Sequence, residues 1–331
     1  LIAIPFQQKN VLVAPLDWGL GHATRCVPII KELLLAQNKV LLGVTPLTSK
    51  ILCTEFPELE VIALPNYSIQ YSRILPLWLK LLLQFPKIAA VIKKENLLLD
   101  HWIQKHQLDI VISDNRYGLF HPKTTNIIIC HQINLKAPLF NRASNKKNIG
   151  YLKNFHEVWV PDYQNANDNL AGSLSINVHK LPVKYIGPQS RLQPLNQAAV
   201  YHALFLLSGP QPLQGLLLNK IMALAATLVN KKIAIIAESV FEKTIPLHVD
   251  FFSLPDVNEI NKIIAQSDWV ICRSGYSTLM DMHVLGKEKL IIIPTPGQTE
   301  QEYLASYWQD RFETVHAIKE KNLEKISSIL N

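Results

Sequence analysis

The residues best placed to do chemistry lie in short polar breaks between apolar runs. In VLVAPLDWGLGHATRCVPII, residues 11–30, a β-branched run gives way to Asp17, Gly19, Gly21 and His22 before a helix-like pattern begins. Histidine titrates near neutral pH and can take a proton from a hydroxyl. Asp17, on the same loop, is the rival base. The glycines Gly19 and Gly21 let the backbone turn tightly and approach a ligand closely. A helix start offers unpaired N–H groups and a partial positive charge. An ordinary turn from strand to helix uses the same residue types, so the spacing leaves both readings open. A dinucleotide fingerprint is excluded, because Thr24 stands where the third glycine counted from Gly19 belongs.

A second break lies in WVICRSGYSTLMDMHVLGKEKLIIIP, residues 269–294, where Ser274, Gly275, Ser277 and Thr278 open a helical pattern. Hydroxyls and backbone N–H groups at a helix start suit a diphosphate. Asp281, one turn further on, could reach a ribose diol, or it could sit on the exposed face of a capped helix. The segment PTPGQTEQEY supplies Gln298, Gln301 and Glu302 as polar groups for sugar hydroxyls. In LLSGPQPLQG, Ser208 and Gly209 could approach a phosphate closely. SDNRYG, residues 113–118, offers Asp114 and Arg116 to line an acceptor cleft, with the guanidinium suited to a phosphate or carboxylate.

The elements that position these residues alternate regularly. Strands are predicted at 11–14, 39–45, 60–64, 109–113, 126–131 and 157–160, with a helix at 24–35. Several are apolar almost throughout, as parallel strands covered on both faces are. The Leu-rich stretch 75–103, with Trp78, Phe85, Trp102 and lysines 80, 87, 93 and 94, reads as a helix pair split by Pro86. An apolar face with basic flanks can also lie at a membrane surface. The rhythm breaks over 182–196 and restarts with strands at 204–207, 232–237, 249–252, 269–272 and 289–293. Helices are predicted between them at 213–229, 257–266 and 278–285, and two more close the chain at 300–310 and 322–330. The fold class expected is α/β, with two doubly wound Rossmann-like domains facing each other across a cleft. The domains are 1–187 and 201–331 with a linker at 188–200, and the last helix is expected to pack back on the first domain.

Taken together, these motifs resemble those of the GT-B glycosyltransferases of the MurG-like kind, the family 28 relatives of the peptidoglycan N-acetylglucosaminyltransferase. Cys272-Arg273-Ser274-Gly275, Thr278, Asp281 and Gly286 are similar to that family's donor-site pattern, with Asp281 where the family usually has glutamate. Gln301-Glu302-Tyr303 resembles the family's Gln-Gln-Tyr, which contacts the donor sugar. Gly19, Gly21 and His22 resemble the first Gly-rich loop, whose histidine is a candidate base; Leu16-Asp17-Trp18 and Leu20 replace the usual glycines. His131 with Asn134 resembles an acceptor-side loop, and Ser208-Gly209 falls at the second domain's Gly loop without its double glycine. The resemblance runs from about residue 10 to 311. It implies a UDP-sugar donor, often UDP-GlcNAc, and inverting transfer to a glycan or lipid-linked cell-envelope acceptor. It also implies that the backbone near Phe252 and Ser253 reads the uracil edge, and that no metal is required; no Asp-x-Asp motif is present.

Composition agrees with two folded domains. The chain has 331 residues, 48% hydrophobic and 18% charged, which is too apolar for a disordered chain. The net charge of +7 favours anionic partners such as nucleotides, phosphorylated lipids or an anionic membrane surface. A nucleic-acid partner is not expected, since no aromatic-basic stacking signature, zinc motif or helix-turn-helix is present. Cys26, Cys53, Cys130 and Cys272 lack metal-ligand spacing and read as free thiols of a reducing cytoplasm. The first residues, LIAIPFQQKN, do not read as a secretory signal, and 74–92 is interrupted by Lys80, Gln84, Pro86 and Lys87. A cytoplasmic protein, peripheral on the inner face of the membrane, is the expectation. A nucleotide-sugar hydrolase or epimerase would keep the donor site and need no acceptor. A non-catalytic sugar-nucleotide binding subunit would bind donor without turnover.

Overall fold

A computed structural model of the chain describes residues 3–69, 77–136, 141–209, 211–238, 241 and 244–331, the side chains of 77–82 excepted. Trp78 and Lys80 therefore lie outside the described side chains. The chain divides into two units, one over Leu1–Gln70 and Trp78–Arg191 and one that takes in Leu192–Asn331.

In the first unit the described strands are β1 (Asn10–Pro15), β2 (Lys39–Val44), β3 (Val61–Ala63), β4 (Ile110–Asp114), β5 (Thr125–Ile129), β6 (Glu157–Val160) and β7 (Val183–Tyr185). They form one parallel sheet in the order β3-β2-β1-β4-β5-β6-β7. The helices are α1 (Leu20–Leu35), α2 (Ser49–Glu55), α3 (Leu77–His106) and α4 (Asn141–Leu152). The β-branched runs are buried on both faces, as parallel strands covered by helices must be. Val11, Val13, Ile110 and Ile112 meet Val27, Ile30 and Leu33 on one face, while Leu12 and Val111 meet Leu99 and Trp102 on the other.

The second unit repeats the plan with β8 (Tyr201–Leu206), β9 (Ile233–Ala237), β10 (Val249–Ser253), β11 (Ser267–Arg273), β12 (Leu290–Ile293) and β13 (Val315–Ala317). Its parallel order is β10-β9-β8-β11-β12-β13. The helices are α5 (Leu213–Ala225), α6 (Val257–Ala265), α7 (Tyr276–Val284), α8 (Thr299–Arg311) and α9 (Lys325–Leu330).

Four sequence expectations are corrected. The helix after β1 starts at Leu20 and not at Thr24, which brings Gly21 and His22 into its first turn. Pro86 does not split a helix pair, because α3 runs through it. The stretch 182–196 holds a short paired strand, β7, and is not wholly linker. The closing helix, expected to pack back on the first domain, instead buries Ile326 and Leu330 in the second unit's own core. Among the described residues no helix is long and apolar enough to cross a membrane.

Candidate active site

In each sheet the chain leaves the first strand in one direction and returns on its other side with the fourth. β1 thus lies beside β4, and β8 beside β11. Ligands of open α/β sheets bind at such a switch point, outside the carboxyl ends of the strands.

In the first unit the switch point assembles a charged cluster. His22 and Arg25 are three residues apart on α1 and so share a helix face. Asp114, fully buried, ends β4. Its Oδ1 lies 3.1 Å from His22 Nδ1. Arg25 donates to both Asp114 oxygens, from Nε to Oδ2 at 2.5 Å and from Nη2 to Oδ1. Arg25 Nη2 also lies 2.8 Å from His22 Nδ1, and Nη1 lies 3.0 Å from His131 Nδ1. Cys26 directs its thiol toward Asp114 Oδ2 at 3.8 Å. Burial would raise the Asp114 pKa, but Arg25 and His22 outweigh it and hold the carboxyl well below the usual range. Burial foremost, helped by Arg25 and His131 and opposed by Asp114, holds the His22 pKa below 6.5. The cluster therefore presents a neutral imidazole backed by a carboxylate, the arrangement of a general base.

Three expected first-domain residues do other work. Asp17 is no exposed base: its side chain is 1% exposed, 3.7 Å from Arg116, and accepts from the Tyr67 N–H at 3.1 Å. Arg116 cannot meet an acceptor phosphate, because it is fully buried. Its guanidinium donates to Glu95 at 2.5 Å, to the Pro15 carbonyl at 2.8 Å and to the Pro65 carbonyl at 3.0 Å. Burial pushes the Glu95 pKa up despite that partner. Asn134 spends its amide on the Ser173 and Ile176 carbonyls, both at 2.8 Å, and its Oδ1 lies 3.0 Å from His179 Nε2. Asp114, read as an acceptor contact, sits behind His22 as its partner.

In the second unit the C-terminal ends of β8, β10, β11 and β12 lead into Ser208-Gly209, Ser253, Ser274-Gly275 and the 294–298 loop. Phe252, half-buried, meets Tyr201 edge to face, with ring centroids 6.4 Å apart. Ser277, Thr278 and Asp281 are half-buried on α7. No acidic side chain lies in the first turn of α5 or α7, and neither has a side-chain cap. α6 differs, with Asp256 accepting from the Asn258 and Glu259 N–H groups. Two expected donor contacts are structural instead. Ser274 is buried and donates to the Gln301 carbonyl at 2.8 Å, and Arg273, 4% exposed, pairs with Glu320 at 2.8 Å. Gln301 accepts from the Thr295 N–H at 2.9 Å and donates to Gln298 at 2.6 Å. Glu302 accepts from the Gly297 N–H at 3.1 Å. These bonds fix the loop between β12 and α8. Among the described residues no group of three His, Cys, Asp or Glu side chains could hold a metal ion.

Residues 234–330, which contain most of this edge, match the family model described as glycosyltransferase family 28 C-terminal domain. The match lies wholly within the second unit, which is similar to that domain over this stretch.

No curated protein matches the chain. Among solved structures, Acinetobacter baumannii MurG is 14% identical, with 98% of this chain and 91% of that one covered and a TM-score of 0.59. Spinosyn rhamnosyltransferase SpnG complexed with thymidine diphosphate is 13% identical, with 97% and 91% covered and a TM-score of 0.65. Arabidopsis thaliana UGT89C1 complexed with UDP-L-rhamnose is 14% identical, with 97% and 89% covered and a TM-score of 0.67. These likenesses are of fold, and the two parallel-sheet units are those of the GT-B class.

The glycines on the two switch-point loops carry different demands. Gly19, at the N-cap of α1, has φ 170°, which any residue adopts, and an added Cβ would meet nothing within 4 Å. Gly209, in the loop after β8 of the second unit, has φ +115°. Gly19→Ala should leave stability within about 0.5 kcal/mol of the parent. Gly209→Ala should cost about 1–3 kcal/mol from backbone strain. Denaturant unfolding of both variants checks the contrast.

Sequence reasoning missed Arg25, Glu95 and Glu320. For Arg25 a signal existed in its spacing of three from His22 on one helix face. Glu95 and Glu320 find their partners only through the tertiary fold.

Proposed function

We propose that the chain is an inverting glycosyltransferase that moves a sugar, N-acetylglucosamine in this reading, from a UDP-sugar to a hydroxyl of a glycan or lipid-linked cell-envelope acceptor. The observation that carries the reading is the family 28 match over 234–330. The His22–Asp114 pair supports the base step.

With its neutral proton on Nδ1 and donated to Asp114, His22 offers Nε2 to the acceptor hydroxyl. As the hydroxyl proton passes to Nε2, its oxygen attacks the anomeric carbon in line. The bond from that carbon to the β-phosphate oxygen breaks, and UDP leaves with the electron pair. Asp114 stays charged and stabilises the imidazolium. The departing charge meets the start of α7 at Gly275–Thr278 and the Ser208-Gly209 loop. Dipoles fixed where charge develops are usually the largest catalytic contribution. Asp281 holds the ribose, the backbone at Phe252 and Ser253 reads the base, and Gln298, Gln301 and Glu302 shape the sugar site. Gly19, Gly21 and His131 border the acceptor hydroxyl. The reading assigns no metal or other cofactor to the reaction and no nucleic acid as partner.

A peripheral contact with the cytoplasmic membrane face belongs to the same reading. Leu83 and Phe85 are exposed on α3, Lys87, Lys93 and Lys94 are exposed along it, and Lys147 lies 3.5 Å from the Phe85 ring centroid.

A thermal-shift and calorimetry screen with UDP, TDP, GDP, ADP and their common sugar conjugates tests the donor assignment. A ligand at a hundred times its Kd should stabilise the native state by about 2.7 kcal/mol. A response selective for UDP and one UDP-sugar is expected. No response to any nucleotide, or a preference for TDP, overturns it.

A further inference from the structure

Arg25 is a buried charge that the base step above does not use. It is 2% exposed on α1 and faces three of the titratable groups at the switch point. It grips Asp114 at two points, through Nε at 2.5 Å and through Nη2. It also reaches His131 Nδ1 at 3.0 Å and His22 Nδ1 at 2.8 Å.

A buried carboxylate with histidine as its only charged partner favours the imidazolium, because an opposite charge nearby stabilises the protonated ring. A ring that already carries both protons cannot accept another. A permanently charged guanidinium changes the balance. It neutralises the carboxylate and repels a second cation beside it. The charged and titratable groups acting on His22 are Asp114 from β4, Arg25 from α1 and His131 from the segment after β5, while the Cys26 thiol faces Asp114. Asp114 is the one that favours a charged ring. Asp114 Oδ1 takes an Nη2 proton and lies 3.1 Å from His22 Nδ1, so it can accept from that nitrogen when the ring's neutral proton is there.

We propose that Arg25 is a positioning residue for the transfer reaction: its two-point grip on Asp114 aims the carboxylate at His22 Nδ1 and keeps the imidazole uncharged, leaving Nε2 basic. The assignment rests on the proposed function for its consequence in turnover, but its physical core concerns the resting protein alone. Burial and the Arg25 charge act in the same direction on the ring. An arginine is suited to this work because its planar fork fits a carboxylate, which the single ammonium of a lysine does not.

Histidine-labelled NMR reads the ring without any substrate. In the wild-type protein, His22 should be neutral at pH 6.5, with its proton on Nδ1, and should titrate below that pH. Arg25→Gln removes the charge, and the His22 midpoint should rise by about one pH unit or more, a tenfold change in proton affinity. The acid limb of kcat should move up with it, while KM for the donor stays near the parent value. Arg25→Lys keeps the charge, so the midpoint should stay low while kcat falls about tenfold through loss of the second contact. A wild-type His22 that titrates at or above 6.5, or that carries its neutral proton on Nε2, overturns the proposal. So does a folded Arg25→Gln with an unmoved midpoint. If Arg25→Gln does not fold, Arg25→Lys decides, and an unchanged kcat there is equally fatal. Failure of the nucleotide screen would sink the transferase reading without touching these titrations.

Discussion

Replacement of His22 by alanine should cut turnover by about 10²–10⁴-fold, the contribution typical of a positioned general base. Binding of UDP should be unaffected, because His22 belongs to α1 of the first unit and the family 28 match lies at 234–330. The variant should fold, since the His22 side chain is 17% exposed and Asp114 keeps both contacts from Arg25. Its pH profile is the sharper readout. In the wild-type enzyme, kcat should fall on the acid side as His22 takes up a proton, at a pH below 6.5 because burial and Arg25 depress its pKa. In His22→Ala that limb should vanish, leaving a slow rate flat through the same range. Steady-state kinetics from pH 5 to 8.5, with UDP calorimetry on the same preparations, measures both. Unchanged turnover removes His22 from the mechanism, and a lost UDP response makes it a donor contact instead.

The place of His22 at the switch point was legible in the sequence because glycine, histidine and a following helix pattern form a local signal. So were the strands, whose near-continuous apolar runs follow from burial on both faces. The short strands β7 and β13, Val-Lys-Tyr and Val-His-Ala, lack the continuous apolar run that marks the equally short β3. Pro86 misled because proline usually breaks a helix interior, yet α3 continues through it. Polar residues beside a glycine loop read as exposed contacts, and here that rule failed repeatedly. Asp17, Arg116, Arg273 and Ser274 are turned inward, and each finds its partner on another element. Their partners Glu95 and Glu320 are far away in sequence, so no local spacing announces them.

Asp114→Ala should produce the largest loss of stability among the site variants. The carboxylate is fully buried, and its removal strands the Arg25 guanidinium without its two-point partner. Breaking a buried pair from one side typically costs about 3–5 kcal/mol. The pH dependence distinguishes lost charge from lost packing. The Asp114 pKa is depressed in the folded protein, so its contribution is complete above the unfolded carboxylate value of about 3.9. It is lost as pH falls from there through the folded value. The folded His22 pKa is also depressed, below 6.5. The native state therefore binds fewer protons than the unfolded chain as pH drops below 6.5, and the parent loses stability toward acid from this group as well. Removing Asp114 takes away the one neighbour that favours a charged His22 ring, so the variant's histidine is depressed further and its acid-side loss, which begins at the same unfolded value, becomes larger. Denaturant unfolding at pH 7, 5 and 3 should therefore show a gap between parent and Asp114→Ala that is no smaller at pH 5 than at pH 7 and that narrows between pH 5 and 3, as the parent's carboxylate takes up its proton. A gap that stays constant to low pH would assign the loss to the cavity left by the side chain, and the charge cluster would then be a consequence of the fold with no part in holding it.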